Sequence, residues 1–161
     1  VTIPASGTGD LALTGAPVLI NGVDVSTALG AWTSHTPTVL QSVSITIAVT
    51  RSTYVKLGRT VIWEFDINVD SSGTASHAIS LSLPVTAAAA NMFCGRISWY
   101  DGSKFVEADA YTASTTTING IVDGSGGVIG NTLGTVGGIT YLDQLTSDDV
   151  LRGFVVYEAA S

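Results

Sequence analysis

The run Thr60-Val61-Ile62-Trp63-Glu64-Phe65-Asp66-Ile67-Asn68-Val69 decides the fold. Val61, Trp63, Phe65, Ile67 and Val69 alternate with Thr60, Ile62, Glu64, Asp66 and Asn68. That period of two gives an extended strand one buried and one wet face, because successive side chains point to opposite sides. The same period recurs on both sides of this run. Val43, Ile45, Ile47 and Val49 alternate with Ser42, Ser44, Thr46 and Ala48, which predicts one strand over 42–49. Ile79, Leu81 and Leu83 alternate with Ala78, Ser80 and Ser82 until Pro84 stops the strand.

Further along, Asp101-Gly102 separates two β-rich runs, the pattern of a tight hairpin. If those two residues are the loop, partner positions sum to 203. Ile97 then faces Val106 and Phe93 faces Ala110, on one side with Trp99. Arg96 faces Glu107 and Tyr100 faces Ser103 on the other. Residues 113–148 predict short strands and long loops, punctuated by Asn119-Gly120, Asp123-Gly124, Gly126-Gly127 and Gly137-Gly138. Val150 to Tyr157 is apolar on both faces, which suits a central strand of a sandwich or a subunit interface. Ala87–Ala90 and Thr146–Asp148 offer one helical turn each, and no long helix is expected.

Composition agrees with strands. Charged residues are 12% of the 161, against about a quarter in ordinary soluble domains. Thr, Ser, Gly and Val fill much of the space left by scarce Glu and Lys. One domain with a real core fits this length. Residues 1–31 hold Pro4, Pro17, several Gly and short apolar pieces such as Val18-Leu19-Ile20 before Asn21-Gly22. They read as an extended arm or stalk end, with a first strand pair of the main domain as the alternative. Residues 32–161 are the expected β-sandwich head.

The formal net charge of −7 argues against nucleic acid as a partner, which needs a basic face, and against an anionic membrane surface. No apolar run is long enough to insert in a membrane as a helix. Cys94 is the single cysteine, so no intramolecular disulfide forms, and a reducing site of assembly is favoured. No signal peptide is visible, and Val1 in the first position reads as a fragment or a processed chain.

Catalytic signatures fail on particular residues, and the chain is expected not to be an enzyme. His77 reads as a partly buried structural residue in phase with Ile79 and Leu81, and His35, beside Pro37, as exposed. Gly precedes Ser125 where a serine-protease segment has Asp, and no nucleophile elbow exists. Asp66, Asn68 and Asp70 have calcium-loop spacing, but Ser71 replaces the required Gly and the segment is a strand. No metal and no cofactor is expected. Glu107 and Asp109 share one strand face at roughly 7 Å, within reach of a glycosidase pair, although a solvated face neutralised by Arg96 is the plainer reading. The other functional reading of that face is saccharide binding. Arg96, Tyr100, Glu107, Asp109 and Tyr111 then form one wet platform, with Trp99 on the opposite, core side.

Several short motifs resemble the C-terminal domains of bacteriophage tail fibres and minor tail proteins. A Gly/Ala/Thr-rich stalk ends at Trp32 and the Thr36-Pro37-Thr38 step. A Tyr54-Val55-Lys56-Leu57-Gly58-Arg59-Thr60-Val61 hairpin follows, then Ser80-Leu81-Ser82-Leu83-Pro84-Val85, Trp99-Tyr100-Asp101-Gly102 and Gly153-Phe154-Val155-Val156-Tyr157-Glu158. The likeness runs in order through about residues 30–160. It implies a jelly-roll-like antiparallel β-sandwich and a homotrimer. It also implies a place on the virion exterior after assembly in the host cytoplasm, with the N-terminal arm contacting other virion proteins. A host-surface saccharide is the implied ligand, and threefold repetition raises a weak contact to useful avidity. A purely structural virion part, such as a head fibre or decoration protein, is the alternative. The resemblance implies no fixed set of binding residues.

Overall fold

The computed structural model describes residues 19–20, 23–24, 31–74, 77–100, 102, 105–124, 128–132 and 144–161. The described residues form antiparallel strands and no helix. Leu19–Ile20 (β1) pairs with Val23–Asp24 (β2) on either side of the Asn21-Gly22 turn signal, as a separate two-stranded sheet. The remaining strands are Thr33–Ser34 (β3), Val39–Gln41 (β4), Val43–Ile45 (β5), Ile47–Leu57 (β6), Thr60–Val69 (β7) and Ser80–Ser82 (β8). Phe93–Tyr100 (β9), Phe105–Thr112 (β10), Thr117–Gly124 (β11), Val128–Thr132 (β12) and Val150–Glu158 (β13) complete the set. They join in one sheet of order β3-β6-β7-β13-β9-β10-β11-β8-β4-β5, with β12 paired to β11. The rest of the arm expected over 1–31, Ser103, and the glycine pairs at 126–127 and 137–138 lie outside the described residues.

β7 has the expected two faces. Val61, Trp63, Phe65, Ile67 and Val69 are all buried. Its hairpin with β6 closes on Gly58 and Arg59, with Leu57 opposite Thr60. Gly58 has φ +60°, the conformation that the first loop position of a type II′ turn requires. A bulge between Val49 and Arg51 then reverses the faces of β6, so Ser52 comes opposite Phe65 and is buried.

The strand expected over 42–49 is in fact two. Ser42, at φ 65°, turns β5 back onto β4, and the chain breaks step at Thr46 before β6 begins. β5 and β6 therefore stand near opposite ends of the sheet order although only Thr46 separates them. That connection is possible only if the sheet curls on itself. Thr46 is held by Asp70 N–H to its carbonyl (2.8 Å) and by its own N–H to Ser71 Oγ (2.8 Å).

His35 bonds across the seam between β3 and β8. It is half-buried rather than exposed, with Nε2 3.1 Å from the Ser82 carbonyl and its ring edge-on to Trp63 at 5.4 Å. Burial lowers the proton affinity of its imidazole below the ordinary value, with the Ser82 carbonyl opposing in part. His77, expected to be partly buried at a strand start, is exposed ahead of β8, and its carbonyl accepts from Gln41 Nε2.

Inside the curl, Trp63, Ile67, Leu81, Ile97, Trp99, Ile118 and Leu151 form one cluster drawn from both halves of the sheet. Gln41 is fully buried within it. Its amide donates to the His77 carbonyl (3.2 Å) and its oxygen accepts the Leu145 N–H (2.9 Å), joining three segments far apart in sequence. A Cβ at Gly73 would overlap that side-chain oxygen.

β13 is central in the sheet, bonded to β7 on one side and β9 on the other. It is not buried on both faces, however. Leu151, Val155 and Tyr157 point inward, whereas Phe154 (56% exposed) and Val156 point out. Asn119-Gly120 lies within β11 and not at a turn. The segments at 87–90 and 146–148 form no helical turn that continues as a helix.

Candidate functional site

The β9–β10 hairpin exists, in a different register from the one expected. Tyr100 pairs with Phe105 and Ile97 with Ala108, so partner positions sum to 205 instead of 203. The slip is two residues, an even number, so every side chain keeps its expected face. The exception is Phe93. A bulge makes Cys94 the extra residue between Ala110 opposite Gly95 and Tyr111 opposite Phe93. Cys94 turns inward, where burial raises its thiol pKa to about 11, and Phe93 turns out to 68% exposure.

The five residues read as a platform therefore share the outer face of β9 and β10. Arg96 comes opposite Asp109 instead of Glu107, and contacts both carboxylates, Nη1 to Glu107 Oε2 at 3.4 Å and Nε to Asp109 Oδ1 at 3.7 Å. Tyr100 stands at the hairpin end with its hydroxyl donating to the Gly102 carbonyl (2.9 Å). Tyr111 is half-buried beside Phe93 at the other end. Phe105, the partner of Tyr100, and Tyr111 are six residues apart on β10, about 20 Å at strand rise. The two tyrosines bracket the charged centre and do not meet on one sugar ring. Glu107 and Asp109 are solvated, with a guanidinium between them.

The same face continues across β13, β7 and β6, which the sequence reading did not join to it. One row across the strands runs Arg51, Asp66, Arg152, Ser98, Glu107. The next runs Thr53, Glu64, Phe154, Arg96, Asp109. Arg152 Nε donates to Asp66 Oδ2 at 3.0 Å, and Arg51 Nη1 lies 3.5 Å from Glu64 Oε1. Thr53 Oγ1 also donates to Glu64, at 3.4 Å. The Arg96 pairs are exposed and contribute below about 1 kcal/mol each, while Glu64 and Asp66 are half-buried in theirs.

Between the rows lies an open depression of about 290 Å³. Phe65, Gly153 and Ile97 contribute main chain there, since the side chains of Phe65 and Ile97 face the core. Arg51, Glu64, Asp66, Arg152 and Phe154 are thus the outer-face residues that the sequence reading missed. The outward phase of Glu64 and Asp66 was visible in β7. That of Arg51 was hidden by the bulge in β6, and that of Phe154 by a strand apolar on both faces. The adjacency of all five was not visible, because β7, β13 and β9 are neighbours only through long-range pairing.

A second groove, of about 350 Å³, runs between Ala87–Ala89 and Met92, Phe93 and Val156. Tyr157 closes its inner side, its hydroxyl donating to the Val85 carbonyl (2.8 Å), and burial pushes its proton affinity up. Among the described residues no group of three His, Cys, Asp or Glu is placed to hold a metal ion, and no helix is long and apolar enough to cross a membrane.

Fold and site together define an antiparallel all-β protein with a charged, aromatic-bearing outer sheet face. Comparison with known proteins finds no matching family model, no similar curated protein and no similar solved structure.

Proposed function

We propose that this chain is a virion-surface domain of tail-fibre or tail-tip type that binds a host cell-surface glycan without catalysis. The observation that carries the reading is the contiguous outer face on which Arg96 and Tyr100 of β9 stand beside Glu107, Asp109 and Tyr111 of β10, polar groups flanked by aromatic rings. That is a saccharide-binding chemistry: rings to stack on, and fixed donors and acceptors for hydroxyls. The motif likeness to phage fibre domains supports the setting, a homotrimer on the virion exterior with residues 1–31 as an arm toward other virion proteins. Core residues drawn from both halves of the curled sheet support the finer fold, a jelly-roll-like β-sandwich.

Binding of the full chain to host cells and to a glycan array tests the proposal. Saccharide binding that weakens on Arg96→Ala and Tyr100→Ala is expected. Absence of binding to any host cell or glycan overturns it. The second reading, a structural virion part with no receptor, is favoured by one observation. Met92, Phe93 and Val156 expose apolar surface beside a groove, a surface suited to another protein chain.

A further inference from the structure

We infer that the ligand is a neutral, polyhydroxylated saccharide, seated on Phe154 between the arginine–carboxylate pairs of β7, β13 and β9. This rests on the glycan-binding reading and moves its centre from the tyrosines to the depression one strand away.

Phe154 is a large apolar ring left 56% exposed on the central strand of the sheet. Hydrogen bonding to β7 and β9 on both sides holds its backbone rigidly. Across the strands its neighbours are Glu64 and Arg96, and two residues back on the same face stands Arg152. A ring in that setting adds no buried core area, but it offers the C–H face of a pyranose a flat surface to stack on. The depression beside it, about 290 Å³, lies at the small end of ligand sites and suits one or two sugar rings.

Charge decides the ligand class. On the two rows three guanidinium groups, of Arg51, Arg96 and Arg152, stand against four carboxylates, in a chain of net charge −7. Each cation already has a carboxylate partner. A uronate or sialate would add a fifth carboxylate against three guanidinium groups and enter a negative surrounding field. A neutral sugar adds no charge. Each guanidinium has five N–H donors and each carboxylate about four acceptor positions, so the paired groups keep capacity toward solvent. Strands about 4.8 Å apart present these donors and acceptors in alternation. Hydroxyl groups, which both donate and accept, match that alternation, whereas a group that only accepts does not.

The test is an array of neutral hexose oligosaccharides beside uronate- and sialate-containing ones, probed with the full chain. We expect binding to neutral members, with affinity changing less than about twofold from 0.05 to 0.5 M salt, as for a contact without net charge. Phe154→Ala is expected to lower affinity at least about tenfold, Phe154→Trp to retain it, and Tyr111→Ala to lower it less than Phe154→Ala does. An unchanged melting temperature in Phe154→Ala shows that the fold persists. Binding confined to anionic glycans, or indifferent to Phe154→Ala, overturns this inference. If binding survives Phe154→Ala but is lost on Tyr111→Ala, the glycan-binding reading stands and this placement falls. If no saccharide binds, both fall.

Discussion

Ser52 is a polar residue on the core side of β6, and the indole of Trp63 explains it. Trp63 Nε1 donates to Ser52 Oγ at 3.0 Å in a fully buried setting. Ser52→Ala leaves that donor unsatisfied and is expected to cost about 1–3 kcal/mol in denaturant unfolding. Trp99 gives the contrast. It is as buried as Trp63, yet its Nε1 has no hydrogen-bond partner among the described residues, so Trp99→Phe loses volume and no hydrogen bond. His35 sets a pH dependence. Its folded pKa lies below the unfolded value near 6.5, so the unfolded chain binds more protons in that window. Stability is therefore present above pH ~6.5 and declines as pH falls through the folded pKa. Melting temperature against pH checks this, and His35→Gln is expected to flatten the slope below pH ~6.5. Cys94 acts at the other end. With its thiol raised to about 11, its contribution is complete below the ordinary value of 9.0 and is lost as pH rises through about 11.

At the scale of the strands, one glycine fixes how β13 lies against β9. Gly95, at φ +145°, sits at the β9 bulge, where a Cβ would overlap the Phe154 carbonyl. Gly95→Ala is expected to cost more than about 2 kcal/mol, because strain and overlap act together, and to speed amide exchange along the β9–β13 pairing. Much at this scale was legible in the sequence. The alternation of β7 and of Ile79–Leu83, the Asp101-Gly102 hairpin and the inward side of Trp99 all follow from period two. Register was not legible, since a slip from 203 to 205 preserves every face and so leaves no mark on the pattern. The bulges at Thr50 and Cys94 and the break at Thr46 were hidden for a related reason. Each is a property of two paired strands, and a single segment carries no trace of its partner. The Asn119-Gly120 turn signal failed because tertiary pairing with β8 and β10 overrode a local preference. The site divided the same way. Outward residues of one hairpin were found together, whereas Arg51, Glu64, Asp66, Arg152 and Phe154 came from strands far apart in sequence.

For the whole molecule, the proposed trimer has a plain consequence. Light scattering on the full chain is expected to give three times the 16.5 kDa chain mass, and a stable monomer would count against the fibre setting. The proposed saccharide contact, however, lies on the sheet face of each chain and does not depend on the assembly. NMR titration of the labelled chain with the tightest-binding saccharide from the array tests it most directly. Shifts are expected to concentrate at the amides of Arg152, Gly153, Phe154, Arg96 and Glu64, around the depression on the outer face. Shifts confined to Ala87–Ala89 and Met92, with that face silent, would contradict it.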